Sequence, residues 1–253
     1  MNILQIIMLS WSLYRRNAAW YALAGLLFAI TMIMSTGMLS GAFLADCAVA
    51  LAWGPKGAWI ANVQAVAIIA AITSAGIAIS FFIAFTAAGA FAHTCAQIGS
   101  GVREVNLIGF FEHMQIFAPT FFAIGFVQQA LGAAVAMPII ALGIFASTLN
   151  PALLPVGIVL ALIAWAVVQL PFWLAYPAQI VKQRGAVQSL QSSLRATISS
   201  PLATAFCILL LLALAIAPLA LNIIYPIYFF FVYAPFCETL KLAYYEAVKG
   251  MLK

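Results

Sequence analysis

Apolar residues run along this chain in long blocks with almost no polar interruption. Six stretches stand out, over about 18–44, 59–91, 119–147, 153–180, 202–221 and 225–247. Each is near or above the roughly 20 residues that a helix needs to cross about 30 Å of hydrocarbon. The pattern predicts an all-α, polytopic membrane bundle of six transmembrane helices in one domain, residues 1–253. Pro138, Pro171, Pro177, Pro218 and Pro235 lie in or near the ends of spans. Packed membrane helices tolerate such residues where neighbours satisfy the freed backbone groups.

A second pattern separates the blocks. Val187, Leu190, Leu194 and Ile198 recur at helical spacing among Gln188, Ser189, Gln191, Ser192, Ser193, Arg195, Thr197 and Ser199, and Pro201 ends the run. That is a narrow apolar stripe on a polar helix. It fits either a helix lying in the membrane interface, stripe down, or a solvated connector packed on the bundle. Residues 2–16 form a more apolar amphipathic candidate, and Val102, Val105, Ile108 and Phe111 suggest another over 102–116. The chain therefore reads as three units, 1–93, 99–182 and 183–253, each an interfacial helix, a span out and a span back.

Composition sharpens this picture. Hydrophobic residues make up 67% of the 253 and charged residues 6%, against about 25% charged in a soluble domain. Orientation follows from the cations. Arg15, Arg16, Arg103, Lys182, Arg184, Arg195, Lys241, Lys249 and Lys253 fall on one side of the six-span scheme, nine of the ten, and only Lys56 falls on the other. The positive-inside rule then predicts a cell (inner) membrane protein with both termini cytoplasmic. Trp53 and Trp59 flank Lys56 as interfacial anchors. The net charge of +5 points to anionic headgroups, with Arg15, Arg16, Arg103, Lys182, Arg184 and Arg195 as the expected lipid contacts. No basic run with interleaved aromatics suggests nucleic acid. No cleavable signal peptide is evident, and the four cysteines are expected to stay reduced.

Several segments resemble a known pattern. YPAQIVKQRGAVQSLQSSL, LSWSLYRRNAAWY, AAGAFAHTCAQIGSGVREVNLIGFF and VYAPFCETLKLAYYEAV resemble the six-helix membrane domain attached to some glycerophosphodiester phosphodiesterases, and related bacterial inner-membrane families of unknown function. The resemblance implies a fold and a location. It implies no phosphodiesterase activity, which belongs to a separate soluble domain, and no catalytic residue carries over.

Candidate chemistry is sparse. The acids are Asp46, Glu104, Glu112, Glu238 and Glu246, and the histidines are His93 and His113. None of these falls near the middle of a predicted span. No phosphate loop, G-x-S-x-G or H-E-x-x-H occurs, and no cofactor is expected. His93, Cys95, His113 and Cys237 converge only loosely, without a compact zinc spacing, and no metal is expected. Glu238 and Lys241 read as a modest surface pair. The intramembrane polar residues are Gln128, Gln129 and Gln169, with Gln64 and Asn222 near span ends. They serve either as glue between helices or as a polar pathway. Gln169 draws attention because Pro171 frees a backbone carbonyl nearby. Gly37 and Gly41 form a GxxxG, and Gly76 with Ser80 is a second small pair; both suit close helix packing or contact with a partner. The aromatic run 225–233 suits a helix facing lipid or another subunit.

These features favour a non-enzymatic membrane scaffold or accessory subunit that contacts lipid, another membrane protein or a second copy. A small transporter or channel for an uncharged or lipid-like molecule is the alternative. A membrane-embedded lipid enzyme ranks last, because acids and histidines are so few.

Overall fold

A computed structural model describes residues 3–52, 63–102, 105–148, 150–183, 185–216, 218 and 224–249. The expectations for Trp53, Lys56, Trp59, Arg103, Arg184, Asn222 and Lys253 lie outside the described residues. All regular structure among the described residues is helical. In chain order the helices are α1 (Ile3–Arg16), α2 (Ala18–Ala52), α3 (Val63–Gly99), α4 (Leu107–Ser147), α5 (Leu153–Gln169), α6 (Ala175–Lys182), α7 (Ala186–Ser199), α8 (Pro201–Ile216), α9 (Tyr225–Tyr228) and α10 (Ala234–Lys249). A 3₁₀ turn, Leu170–Phe172, joins α5 to α6, and a π-helical segment, Phe229–Tyr233, joins α9 to α10.

Four segments are long and apolar enough to cross a membrane: α2, α3, α4 and the α5–α6 run, Leu153–Lys182. The other two expected spans differ. Helix α8 has 16 residues, about 24 Å at 1.5 Å per residue. It follows α7 across a 103° bend. Helix α10 is not a lipid-facing span, because Pro235, Phe236, Thr239, Leu240, Tyr244, Tyr245 and Val248 are all buried. It forms the centre of the protein's main core.

That core lies at one end of the long helices. It joins Ile6 and Tyr14 of α1, Tyr21 of α2, Phe91 and Ile98 of α3, Phe110 of α4, Leu174 just before α6 and most of α10. Helices α2, α3 and α4 have 35, 37 and 41 residues, about 50–60 Å at the usual rise. They exceed the bilayer core by roughly 20–30 Å. The excess enters this cap, and the remainder projects as packed pairs, α2 on α3, α3 on α4 and α4 on α5. In α3, α4 and α5–α6 only 11% of the most apolar 18-residue window is buried. So the projecting surfaces keep their apolar side chains on the outside.

Glycines set the closest approaches. The Cα of Gly157 lies 3.1 Å from where a Cβ on Gly143 would stand, which brings α4 and α5 nearly backbone to backbone. A Cβ on Gly76 would overlap that of Ala42, and a Cβ on Gly25 would strike the Phe230 carbonyl of the π segment. Gly37 and Gly41, in contrast, have nothing within 4 Å of such a Cβ. The GxxxG therefore does not pack α2 against another helix among the described residues. The second small pair does pack: Ser80 accepts a bond from Ser35 at its carbonyl, 2.8 Å away.

The helix expected over 102–116 is not separate. Gly101, at φ +99°, closes α3: its N–H bonds to Ile98 O, and the Val102 N–H bonds to Gln97 O. This is a Schellman arrangement. Asn106 then caps α4 through the Gly109 N–H, and one helix runs from Leu107 to Ser147 through Pro119 and Pro138.

Gly157→Leu should separate α4 from α5 and destabilise the protein by about 1–3 kcal/mol, the usual range for overpacking. Gly41→Leu should leave stability unchanged. Thermal unfolding of both variants in the same detergent checks this.

Candidate functional site

Pro171 provides no N–H and clashes with the carbonyl four residues back. The helix consequently breaks after Gln169, passes through the Leu170–Phe172 turn and resumes at Ala175. Backbone groups freed there have no water to bond when the surroundings are apolar. Two neighbouring helices supply the partners. From α4, Gln128 donates through Nε2 to Phe172 O at 2.8 Å. From α7, Ser193 donates to Pro171 O at 2.9 Å and accepts from the buried Leu174 N–H at 3.1 Å. Thr197 adds a second bond to Pro171 O at 3.3 Å.

Gln169 closes the arrangement from the other side, donating to Gln128 O at 2.8 Å. The Trp165 indole N–H donates to Gln129 Oε1 at 3.1 Å. Gly132 makes room for both partners, since a Cβ there would meet Trp165 and Gln169 within 2.7 Å. The structure thus gathers all three glutamines into one clasp around the break. It corrects one detail: Ser193, Thr197 and Gln128 meet the carbonyls freed near Pro171, while Gln169 serves the α4 backbone. A cavity of about 240 Å³ is lined by Gln129, Trp165, Phe81 and Phe126, but not by Gln128 or Gln169.

Helix α7 matches its predicted length but faces the opposite way from a simple stripe-inward connector. Ser189, Ser192, Ser193 and Ala196 are buried against the bundle. At about 100° per residue they centre on the side opposite Val187, Leu194 and Ile198. Val187 and Ile198 are 66% and 67% exposed. Of the four stripe residues only Leu190 turns inward, beside Ile124 and Ala175. Helix α1 behaves similarly: Ile6, Ser10 and Tyr14 are buried, while Leu4, Met8 and Trp11 are exposed along one line that ends at exposed Arg15.

Among the expected lipid contacts, Arg15, Arg16 and Arg195 are exposed. Lys182 is half-buried, with its ammonium 5.9 Å from the centre of the Tyr245 ring, so its charge is shared with the protein. Glu238 and Lys241 are not a surface pair. Their 2.6 Å ion pair lies among packed helices, with 14% and 21% of the side chains exposed. Asp46 was expected to follow the first span; it lies within α2, facing Thr73 of α3.

The loose zinc grouping does not assemble. The His93 and His113 ring centres lie 4.2 Å apart with the planes inclined by 49°, and His113 Nε2 lies 3.4 Å from Gln97 Nε2. Among the described residues no three His, Cys, Asp or Glu side chains gather as a metal would require.

Ser193→Ala removes a donor and an acceptor at once and strands the buried Leu174 N–H. It should lower stability by about 1–3 kcal/mol. Gln169→Leu should lower it by only about 0.6 kcal/mol, the usual weight of one bond between membrane helices. Equilibrium unfolding of both variants and the double variant checks the order and the coupling.

Comparison of the chain with protein-family models, with curated proteins and with solved structures finds no match in any of the three.

Proposed function

We propose that this protein is a non-enzymatic, multi-pass membrane scaffold or accessory subunit. Its basic cap rests on the cytoplasmic leaflet and contacts anionic lipid, leaving the projecting helices to meet lipid or a membrane partner. The observation that carries this is the outward direction of the apolar stripes on α1 and α7. An amphipathic helix on a water-covered surface turns its apolar side inward. Helix α7 turns Ser189, Ser192, Ser193 and Ala196 inward and Val187, Leu194 and Ile198 outward, and α1, which buries Ile6, Ser10 and Tyr14, leaves Leu4, Met8 and Trp11 outside. Exposed Arg15, Arg16 and Arg195 lie on the same helices, where anionic headgroups would meet them.

Both termini lie on one side if the four long segments cross and the last hairpin returns to the side it left. Thr204 pairs with Tyr244 at 2.8 Å, and Tyr228 donates to Leu214 O at 3.1 Å. These rungs make α8 antiparallel to the α9–α10 run. Whether that hairpin dips into the bilayer or crosses it, the chain returns to the side where α8 began. The sealed bonding of Gln128 and Gln169 favours structural glue over a transport path.

A reporter active only in the cytosol should work when fused to either terminus; opposite results from the two fusions would refute the topology. The lipid role is tested by native mass spectrometry of protein released from nanodiscs that mix phosphatidylglycerol with phosphatidylcholine. Arg15→Gln, Arg16→Gln and Arg195→Gln should each reduce retained phosphatidylglycerol several-fold, in keeping with about 1 kcal/mol per basic residue. Lys182→Gln should have a smaller effect. Unchanged retention in all four would remove the lipid contacts from the proposal.

A further inference from the structure

We propose that the groove between α2 and α3 binds a lipophilic amine, with Asp46 as the counter-ion of its ammonium group. This rests on the reading that both helices stand in lipid. The groove measures about 500 Å³ and is lined by Leu39, Ser40, Ala42, Phe43 and Leu44 of α2, with Asp46 and Thr73. Phe43 and Leu44 are both 67% exposed, so its outer wall is hydrocarbon and open to a chain lying alongside. Its polar end is a carboxylate. Thr73 donates its hydroxyl to Asp46 Oδ2, while Oδ1 is buried and has no hydrogen-bond partner among the described residues.

An ionised carboxylate offers about four acceptor sites, and leaving one oxygen unpaired in apolar surroundings is unfavourable. The protein provides no cation on the helices that form the groove: neither α2 nor α3 contains Lys or Arg. An ionisable group in such a setting marks a binding function. Charge complementarity selects the ligand. A primary ammonium brings one positive charge and three N–H donors, one of them for Oδ1. Its alkyl chain lies along Leu39 and Phe43. A carboxylate or an alcohol of the same chain length lacks the charge, and a quaternary ammonium lacks the donors.

The test uses the full chain in phosphatidylcholine nanodiscs and tritiated dodecylamine. The wild type should bind it saturably. Asp46→Asn should bind at least tenfold more weakly while keeping the wild-type elution volume and helical circular dichroism. Asp46→Glu keeps the carboxylate and should bind several-fold more strongly than Asp46→Asn, which separates loss of the charge from loss of the fold. Dodecyltrimethylammonium should compete less well than unlabelled dodecylamine, and dodecanoate and dodecanol should not compete. Displacement by phosphatidylethanolamine in the disc would identify a lipid headgroup as the natural amine; displacement by free amines alone would identify a small amphiphile. Absence of saturable binding by the wild type, equal binding by folded Asp46→Asn, or competition by dodecanoate would overturn the proposal. Failure of the terminal reporters would instead strike the membrane reading, so the two are separable.

Discussion

The backbone at Pro171 governs how this molecule is assembled. A proline in a helix that is surrounded by apolar material frees groups which solvent does not reach, and each must be satisfied from within. Here the solution is tertiary. One partner comes from α4 through Gln128 and the others from α7 through Ser193 and Thr197. The break therefore ties a projecting helix pair to the cap, and α7 is held by its hydroxyl face rather than by its apolar one. With the hydroxyls committed inward, the apolar stripe has only the outside left to face.

Length mismatch explains the rest of the shape. Helices of 35 to 41 residues are too long for hydrocarbon alone, and the excess is where packing is densest. The aromatic and aliphatic residues of α10 fill that region, which is why the last helix became core. Along the projecting parts, packing relies on missing side chains. Gly143 against Gly157, Gly76 against Ala42 and Gly132 against Trp165 let backbones approach. Dispersion and close fit matter there, because apolar burial gives helices little advantage over contact with lipid.

The polar inventory divides along the same axis. Gln128, Gln169, Ser193 and Thr197 near the break are bound to backbone, the Glu238–Lys241 pair is enclosed in the cap, and arginines occupy the cap's surface. Asp46 stands apart, on the projecting α2–α3 pair with one oxygen unpaired among the described residues. That separation is what the proposed amine site at Asp46 rests on.

Composition and pattern alone determined that the chain is helical, that its long helices are apolar enough for a membrane, and that α7 ends before Pro201. They also marked Gln128, Gln129 and Gln169 as polar groups amid apolar residues and tied Gln169 to Pro171, because a polar group and a broken ladder are visible in one dimension. Only the tertiary structure decided which partner each group takes. Ser193 and Thr197 carry no signal as ligands of Pro171, since the contacts span 22 and 26 residues. A GxxxG spacing does not say whether another helix lies against it, and at Gly37 and Gly41 none does among the described residues. Asp46 read as lying beyond a span because hydropathy falls at a charge, whereas helix α2 continues to Ala52 on the strength of its own backbone bonds. An amphipathic stripe, finally, fixes two faces of a helix but not their directions. Direction depends on which face the neighbouring helices can bond, and here Ser193 and Thr197 are held by the backbone at Pro171.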